Sequence, residues 1–368
     1  MMGVTYSLYI AGTRFSGKTA LCLGLYSKFQ EMGLKVGYFK PVGQGVKIVD
    51  GVSRDPDVLL LKEVMELEES LDTLNPVVLG KRYLDNLLKD CDKLESKIRK
   101  GFDEVSKNKD ILLIESPAIP ELLTCCNLDM PRFSCEFKSK ILFSLKGDED
   151  SVVEKAVLFK RFIEQKGGET LGIVLNFVPL QQVERMRGIV SSILEGCGLN
   201  VLGVVPDHRD LTNPIVYDIV EALGAEVLTC SNKLENVVED YMIGAMTPES
   251  AMTWLRRSIG KAFITGGDRT DLILTAIETK PSVIILTGNI YPSRSVLNSA
   301  EEKSIPVLLV PDDTYTTVTK LEFLTGRIVP SPKSMKKIQL TKKIIGEYVN
   351  WKRILDDFVE SKRKRGNA

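Results

Sequence analysis

Histidine is nearly absent from this sequence of 368 residues, because His208 is the only one. A nucleophilic triad that uses histidine as its base depends on this single residue, so such chemistry is nearly excluded. Seven cysteines are present, but none forms a Cys-x-x-Cys pair. The clustered ligands of a structural zinc site are therefore missing, and we interpret the cysteines as buried, reduced thiols.

The chain also has no net charge, because its 49 Lys and Arg residues balance its 49 Asp and Glu residues. No overall positive field attracts phosphates, so nucleic-acid binding is not expected. The 43% of hydrophobic residues excludes a disordered chain. Long apolar runs and a basic export signal are also missing from the sequence. We therefore expect a cytoplasmic protein without a membrane partner.

Short apolar runs rich in Val, Ile and Leu alternate with helical patterns along most of the chain. Six such runs precede residue 225, and three more follow within residues 261–310. Strands that alternate with helices predict an α/β fold with a mostly parallel sheet and helices on both faces. We assign residues 1–230 to this first domain and residues 235–330 to a smaller, Rossmann-like α/β domain.

The last segment, residues 336–368, has a different pattern. Apolar residues recur at a spacing of three and four on one predicted helix face: Ile344, Tyr348, Trp351, Leu355 and Phe358. This face either docks on its own chain or forms a dimer contact, and we expect a homo-oligomer. The basic run that ends the sequence is interpreted as a solvated tail.

A phosphate-binding loop is the strongest signal in the sequence. The pattern G-x-x-x-x-G-K-[ST] occupies Gly12, Thr13, Arg14, Phe15, Ser16, Gly17, Lys18 and Thr19. An apolar strand precedes it and a helical pattern follows it, which is the arrangement that this loop requires. Backbone N–H groups and the helix N-terminus would hold an anion, Lys18 would reach the β- and γ-phosphates, and Thr19 would bind Mg²⁺.

Carboxylates that could complete a Mg²⁺ site occur at two places. Glu115 ends the apolar run that begins at Asp110, so we predict that it holds Mg²⁺ directly or through water. The alternative is an acid exposed at a strand end. Asp55 and Asp57 precede a helical pattern, where they are equally well explained as helix N-cap residues.

These motifs together resemble the dethiobiotin synthetase-like branch of P-loop proteins, and cobyrinic acid a,c-diamide synthases are similar. The resemblance is carried by GTRFSGKT, by FKPVGQG at residues 39–45, by the strand ending in Glu115 and by GIVLN at residues 172–176. It implies ATP and Mg²⁺ as cofactors, with Lys18 and Lys40 near the transferred phosphate. It also implies that Asn176 contacts adenine and that Asp57 helps to bind Mg²⁺.

A longer resemblance, to the N-terminal part of long bacterial-type phosphate acetyltransferases, covers nearly the whole chain. There a synthetase-like domain is followed by a so-called DRTGG domain, marked here by the run Ile264–Asp271. Within this run, Gly266, Gly267, Asp268 and Arg269 lie between a predicted strand and a predicted helix. Asp268 is either a helix N-cap, or the loop binds a carboxylate or phosphate through Arg269.

Two departures from these families limit the activity that we expect. The acetyltransferase domain would follow the DRTGG domain, so acetyl transfer by this polypeptide alone is not expected. Ser116 and Pro117 replace the glycines that follow the acid in dethiobiotin synthetases, and proline has no N–H to donate.

Three functions remain open at this stage. The first is a nucleotide- or metabolite-sensing regulatory protein that binds ATP and hydrolyses it slowly, with a nucleotide and a small-molecule effector as its ligands. The second is an ATP-dependent carboxylate–amine ligase. The third is a non-catalytic partner subunit of a separate acetyltransferase chain.

Overall fold

The computed structural model describes residues 5–44, 47–49, 51–80, 82–87, 91–208, 211, 213–325 and 335–366. The predicted domain end at residue 330 and the last two residues of the predicted basic tail lie outside this range. The chain divides into two compact units, one formed by Met1–His208 with Val329–Ala368 and the other by Arg209–Ile328. In the described residues, no helix is long and apolar enough to cross a membrane.

The first unit is built on a parallel sheet. The strands of this unit are β1 (Tyr6–Gly12), β2 (Val36–Phe39), β3 (Val42–Gln44), β4 (Lys47–Val49), β5 (Val52–Arg54), β6 (Val77–Leu79), β7 (Ile111–Glu115), β8 (Lys140–Lys146), β9 (Glu169–Val178) and β10 (Val201–Pro206). Six of them form the main sheet in the order β10-β9-β8-β1-β7-β2, and every neighbouring pair is parallel. These are the six apolar runs predicted as strands, so that prediction is confirmed.

Two short sheets accompany the main one and were not predicted. β3 pairs with β6 in parallel, and β4 pairs with β5 as an antiparallel hairpin. Each of these strands has only three residues, which is too short for a periodic pattern to stand out in the sequence.

Helices pack around the main sheet. They are α1 (Lys18–Glu31), α2 (Pro56–Val64), α3 (Leu71–Leu74), α4 (Leu84–Leu87), α5 (Cys91–Val105), α6 (Met130–Glu136), α7 (Ser151–Gln165), α8 (Val183–Arg185) and α9 (Ser191–Gly196). Single turns of 3₁₀-helix occur at Thr124–Cys126 and Leu180–Gln182, and a π-helical turn at Met186–Val190 joins α8 to α9.

The cysteines differ from their predicted state as buried, reduced thiols. Cys91 and Cys126 form a disulfide in the structure. Cys22 is buried as expected, but Cys125, Cys135 and Cys197 are exposed. Cysteine composition alone carries no information on which of these side chains lie next to each other in the fold.

The second unit is a five-stranded sheet between two layers of helices. Its elements are α10 (Val216–Leu223), β11 (Glu226–Thr229), β12 (Asp240–Ile243), α11 (Pro248–Leu255), β13 (Lys261–Gly266), α12 (Thr270–Ile277), β14 (Val283–Thr287), α13 (Arg294–Glu302), β15 (Val307–Leu309) and α14 (Thr314–Thr325), with a 3₁₀ turn at Ser231–Lys233. The order is β11-β15-β14-β13-β12, and only β11 is antiparallel to its neighbour. Alternate residues of the strands enter two separate apolar cores, one with α11, α12 and α13 and one with α10 and α14.

The boundary between the units lies earlier than the predicted one at residues 230–235. The residues of α10 and β11 were assigned to the first domain, but the structure places them in the second unit. The reason is physical, since β11 pairs with β15 and Val216 and Ile219 of α10 enter the core of the second sheet. A boundary drawn from polar composition missed a helix and an edge strand that belong together.

The C-terminal segment returns to the first unit as two helices, α15 (Met335–Tyr348) and α16 (Trp351–Gly366). One continuous helix was predicted, and this is wrong because the helix is interrupted at Val349 and Asn350. Val349 forms a bridge with Gly203 of the edge strand β10, and Asn350 N–H donates to Leu202 O over 2.6 Å. The tyrosine OH of Tyr6 donates to Asp357 of α16. The segment therefore docks on its own chain.

Candidate functional site

The loop between β1 and α1 has the geometry of an anion cradle. Gly17 has a φ of 84° and is the N-cap of α1, so the loop turns into the helix through a left-handed residue that favours glycine. At Gly12 an added Cβ would lie 2.0 Å from Ser144 O, so only glycine fits between the loop and β8. Thr13, Arg14 and Phe15 form the outer part of the loop. The predicted strand–loop–helix arrangement is thus present.

Ser16 contributes the clearest sign that the cradle is made for a ligand. It is fully buried, and within the described residues its Oγ has no hydrogen-bond partner. A buried hydroxyl without a partner costs free energy unless a bound group satisfies it. The orphaned hydroxyl, the glycines and the helix N-terminus fit a phosphate group.

Lys18 lies folded against this loop. Its ammonium donates to Thr13 O over 2.8 Å and to Gly12 O over 3.4 Å. Burial lowers the pKa of Lys18 to about 8, although the nearby Glu115 carboxylate acts in the opposite direction. A phosphate placed in the cradle would take over the hydrogen bonds that the two carbonyls now accept.

Glu115 lies at the end of β7, in register with Ile10 of β1. Its carboxylate accepts hydrogen bonds from Thr19 Oγ1 over 2.9 Å and from the Tyr38 hydroxyl over 2.8 Å. Only 1% of the residue is exposed, so the alternative of a solvent-exposed acid is wrong. Burial raises the pKa of this carboxyl group, and the ammonium of Lys40 opposes the change.

Lys40 is the centre of the site's charge network. Its ammonium lies 2.7 Å from Asp57 Oδ2, 3.1 Å from Asp55 Oδ1 and 3.4 Å from Glu115 Oε1. Burial alone would lower the pKa of Lys40, but the carboxylates of Asp57, Glu115 and Asp55 together raise it well above its ordinary value. The three carboxylates therefore favour the charged form of this lysine.

Asp55, which the sequence left open as a further carboxylate or a helix N-cap, also belongs to the site. It is the N-cap of α2, where its carboxylate accepts from Asp57 N over 2.9 Å, and it also accepts from Gln44 N over 2.8 Å. Burial raises the pKa of this carboxyl group, while Lys40 opposes the shift. The Asp-Pro pair before a helical run signals an N-cap, but nothing in the sequence signals that this cap faces Lys40. Tyr38 was missed.

The residues predicted to hold Mg²⁺ are brought together. Thr19, Asp57 and Glu115 present a hydroxyl and two carboxylates, which are oxygen ligands of the kind that Mg²⁺ prefers, so the donor set fits this ion. In the described part of the chain, however, no three His, Cys, Asp or Glu side chains are arranged to hold a metal ion. The Lys40 ammonium lies between the carboxylates of Asp57 and Glu115.

Asn176 lies against the phosphate loop at the end of β9. Its Nδ2 donates to Ser16 O over 3.1 Å, and its Oδ1 accepts from Phe177 N over 3.0 Å. Both ends of the amide are thus used by protein atoms. Asn176 therefore helps to hold the loop in place. Its amide has a second hydrogen and its oxygen a second lone pair, so contact with adenine stays a prediction.

The segment after Glu115 has few donors to offer a substrate. Ser116 N–H donates to Ile10 O, and the Ser116 hydroxyl donates to Pro117 O. Pro117 has no N–H. The replacement of the dethiobiotin synthetase glycines by Ser116 and Pro117 thus leaves neither of their backbone nitrogens to donate a hydrogen bond to a substrate.

In the second unit, Gly266, Gly267, Asp268 and Arg269 lie after β13, as predicted. Helix α12 begins at Thr270 with Arg269 as its N-cap and without a side-chain cap bond, so Asp268 is not the N-cap. An added Cβ at Gly267 would lie 1.7 Å from Ile290 O, which shows that the loops after β13 and β14 touch. Arg269 donates to Met246 O over 3.1 Å.

The fold and the loop together define a class: the chain is a P-loop protein with an α/β sheet, followed by a second α/β domain. A family model described as an AAA domain matches residues 6–215, which are more than half of the chain. The chain therefore belongs to this family. A model described as the DRTGG domain matches residues 218–324. The resemblance stated from the sequence is thereby confirmed.

Individual relatives agree with this assignment. A phosphate acetyltransferase from Nitratidesulfovibrio vulgaris is 28% identical over 355 residues, which cover 88% of this chain and 48% of that protein. The ATP-dependent dethiobiotin synthetase BioD from Methanococcus vannielii is 24% identical over 214 residues, 55% of this chain and 94% of that enzyme. The chain thus spans about half the length of the phosphate acetyltransferases it matches.

Among solved structures, one match is the regulatory region of Clostridium perfringens pyrophosphatase, with its CBS and DRTGG domains complexed with the activator diadenosine tetraphosphate. The two chains are 23% identical and superpose with a TM-score of 0.28, over 37% of this chain and 51% of that one.

Proposed function

We propose that the first unit binds ATP together with Mg²⁺ and that the protein is a nucleotide-sensing regulatory protein, related to the N-terminal region of phosphate acetyltransferases. The observation that carries the proposal is the buried Ser16 hydroxyl, which has no partner among the described residues and lies in a glycine-containing cradle at the N-terminus of α1. Such a cradle gains its missing hydrogen bonds when a phosphate is bound.

Each residue of the site has a part in this proposal. Lys18 exchanges its two loop carbonyls for phosphate oxygens, and Lys40 turns toward the terminal phosphate. Thr19, Asp57 and Glu115 hold the metal ion, which when bound would neutralise phosphate charge. Gly12 and Gly17 let the backbone approach, while Asn176 keeps the loop in this shape through Ser16.

Slow hydrolysis follows from the same network. A water-activating base needs a carboxylate that is free to accept a proton. With nucleotide bound, Asp57 and Glu115 would hold the metal ion, and Asp55 accepts the backbone N–H groups of Gln44 and Asp57. The occupied donors around Ser116 and Pro117 do not favour the carboxylate–amine ligase. The second unit, with the converging loops around Gly267, would take a small-molecule effector or contact a separate acetyltransferase chain.

Calorimetric titration of Mg-ATP into the wild-type protein and into Lys18→Ala tests the proposal, with ADP release measured in parallel. We expect saturable binding to the wild type, at least about tenfold weaker binding to the variant, and little ADP. Lys28→Ala is the matched control, because Lys28 lies on the same helix and pairs with Glu31 outside the site. Equal affinity in all three proteins, or no binding, would refute nucleotide binding at this loop. Rapid ADP release would instead support an ATP-consuming enzyme.

A further inference from the structure

We propose that Lys40 makes the site specific for nucleoside triphosphates, because its ammonium takes the place of the divalent cation until a γ-phosphate draws it away. This inference rests on the nucleotide binding proposed above and adds a reason for discrimination between triphosphates and diphosphates. Its basis is the position of one ammonium within 3.4 Å of Asp55, Asp57 and Glu115.

The ammonium and a metal ion compete for the same oxygen atoms. Asp57 Oδ2 and Glu115 Oε1, the carboxylate oxygens expected to face the metal, are the ones that Lys40 contacts. The side chain of Lys40 is 5% exposed, so water screens the charges poorly. A divalent cation placed among these oxygens would face the ammonium at close range and be repelled. Metal binding therefore requires that Lys40 leave.

Two of the three carboxylates, those of Asp55 and Glu115, accept hydrogen bonds from groups other than Lys40. Asp55 accepts backbone hydrogen bonds from Gln44 and Asp57. Glu115 accepts hydrogen bonds from the hydroxyls of Thr19 and Tyr38. These bonds keep the Asp55 and Glu115 carboxylates in position when the ammonium moves.

Lys40 itself can move only through its side chain. Its backbone N–H donates to Leu74 O over 2.9 Å, and its carbonyl accepts from Asn75 Nδ2 over 2.7 Å. These bonds fix the Cα position, while the long side chain can still turn about its four rotatable bonds. The terminal phosphate of a triphosphate supplies the negative charge that would attract the ammonium. A diphosphate lacks this group and leaves Lys40 between the carboxylates.

Titration with Mn²⁺, followed by electron paramagnetic resonance, tests this inference on the full chain. Without nucleotide, we expect Lys40→Met to bind Mn²⁺ at least about tenfold more tightly than the wild type. Lys28→Met, on the outer part of α1, should behave like the wild type. The gain in Mn²⁺ affinity on replacing ADP by a non-hydrolysable ATP analogue should be at least about tenfold larger in the wild type than in Lys40→Met, because the γ-phosphate ligates Mn²⁺ in both proteins but removes an ammonium only in the wild type.

The Mn²⁺ titrations without nucleotide and with nucleotide distinguish failure of this inference from failure of nucleotide binding. Equal Mn²⁺ affinity of Lys40→Met and wild type without nucleotide overturns the inference, even if ATP binds. Tighter Mn²⁺ binding to Lys40→Met supports the exclusion of a cation by the ammonium, whereas a wild type that binds no nucleotide refutes the proposed function and overturns the triphosphate specificity with it. If Lys40→Met does not fold, Lys40→Gln takes its place: Mn²⁺ affinity equal to that of the wild type overturns the inference, and binding at least about tenfold tighter supports it.

Discussion

Thr19 Oγ1 and Glu115 Oε1 lie 2.9 Å apart, so the first turn of α1 and the end of β7 are joined by one buried hydrogen bond. The residues are 96 positions apart in the sequence, and the parallel pairing of β1 with β7 brings them together. The hydroxyl and the carboxylate of the proposed metal site are thus already next to each other.

Glu115→Gln should remove the metal dependence of nucleotide binding. Glutamine has nearly the same shape and still offers an oxygen to Thr19, so the fold should persist. The lost charge should weaken nucleotide binding in the presence of Mg²⁺ by about tenfold or more, with little effect in EDTA. Calorimetry with and without Mg²⁺ measures this. Tyr38→Phe, which keeps the carboxylate, is the control. An unchanged Mg²⁺ dependence in Glu115→Gln would contradict the prediction.

Ser16→Ala should separate stability from binding. The Ser16 hydroxyl has no described partner, so its removal should leave the free energy of unfolding within about 0.5 kcal/mol of the wild type or raise it. Nucleotide affinity should fall about fivefold to tenfold, since one neutral hydrogen bond is worth about 1 kcal/mol. Denaturant unfolding and calorimetry on the same samples test both parts. A marked loss of stability with unchanged affinity would show a purely structural hydroxyl.

Gly24→Ala should destabilise the first unit, although alanine ordinarily favours a helix over glycine. A Cβ at Gly24 would lie 2.3 Å from Ile345 Cβ, so α15 would have to move. We expect a loss of about 1–3 kcal/mol. Gly196→Ala is the matched control, because nothing lies within 4 Å of its added Cβ. Trp351 fluorescence in a Trp254→Phe background reports on the first unit. Equal stability of both variants would contradict the close packing of α1 and α15.

Gly267→Ala should destabilise the second unit far more than Gly266→Ala. The added Cβ at Gly267 would meet the backbone oxygen of Ile290 at 1.7 Å, whereas at Gly266 it would meet only the Asp268 carboxylate, which can rotate away. We expect losses of more than about 2 kcal/mol and less than about 1 kcal/mol, respectively. Trp254 fluorescence in a Trp351→Phe background reports on this unit. A larger effect at Gly266 would show that the loop is arranged differently.

Lys261 should make the stability of the second unit depend on pH. Its ammonium donates to Ser258 O and Thr279 O, and burial lowers its pKa below the ordinary value of about 10.4. Between the lowered pKa and 10.4, the unfolded chain binds more protons, so stability gains a contribution as pH rises. The wild type should therefore gain stability relative to Lys261→Met from pH 8 to pH 10. Unfolding at both pH values measures this difference, and a constant or falling difference would contradict the prediction.

The sequence predicts much of the fold because its signals are local. Buried parallel strands such as β7 are continuous apolar runs, and the phosphate loop is a contiguous motif with a strand before it and a helix after it. The turn at Val349 and Asn350 could not be predicted in this way. It follows from pairing with Gly203 of β10, which is a tertiary contact across nearly 150 residues.

The site is only partly visible in the sequence for the same reason. Lys18 and Thr19 belong to a motif, but the contacts of Lys40 come from loops at residues 55–57 and from the end of β7. Helix-capping rules explain Asp55 fully, so nothing in its local sequence indicates a second role beside Lys40. Resemblance suggested Asp57 and Lys40 as ligands of a metal and a phosphate, but not their contact with each other.

The first unit is interrupted in the sequence, because its last two helices follow the entire second unit. During synthesis, the second unit leaves the ribosome complete while α1 and the edge of β10 still lack the residues that cover them. The apolar surface around Leu202 and Gly24 then stays open until residues 335–366 emerge. Completion of the first unit thus waits for the synthesis of the second, and a ribosome that stalls near residue 330 would release a finished second unit attached to an unfinished first one.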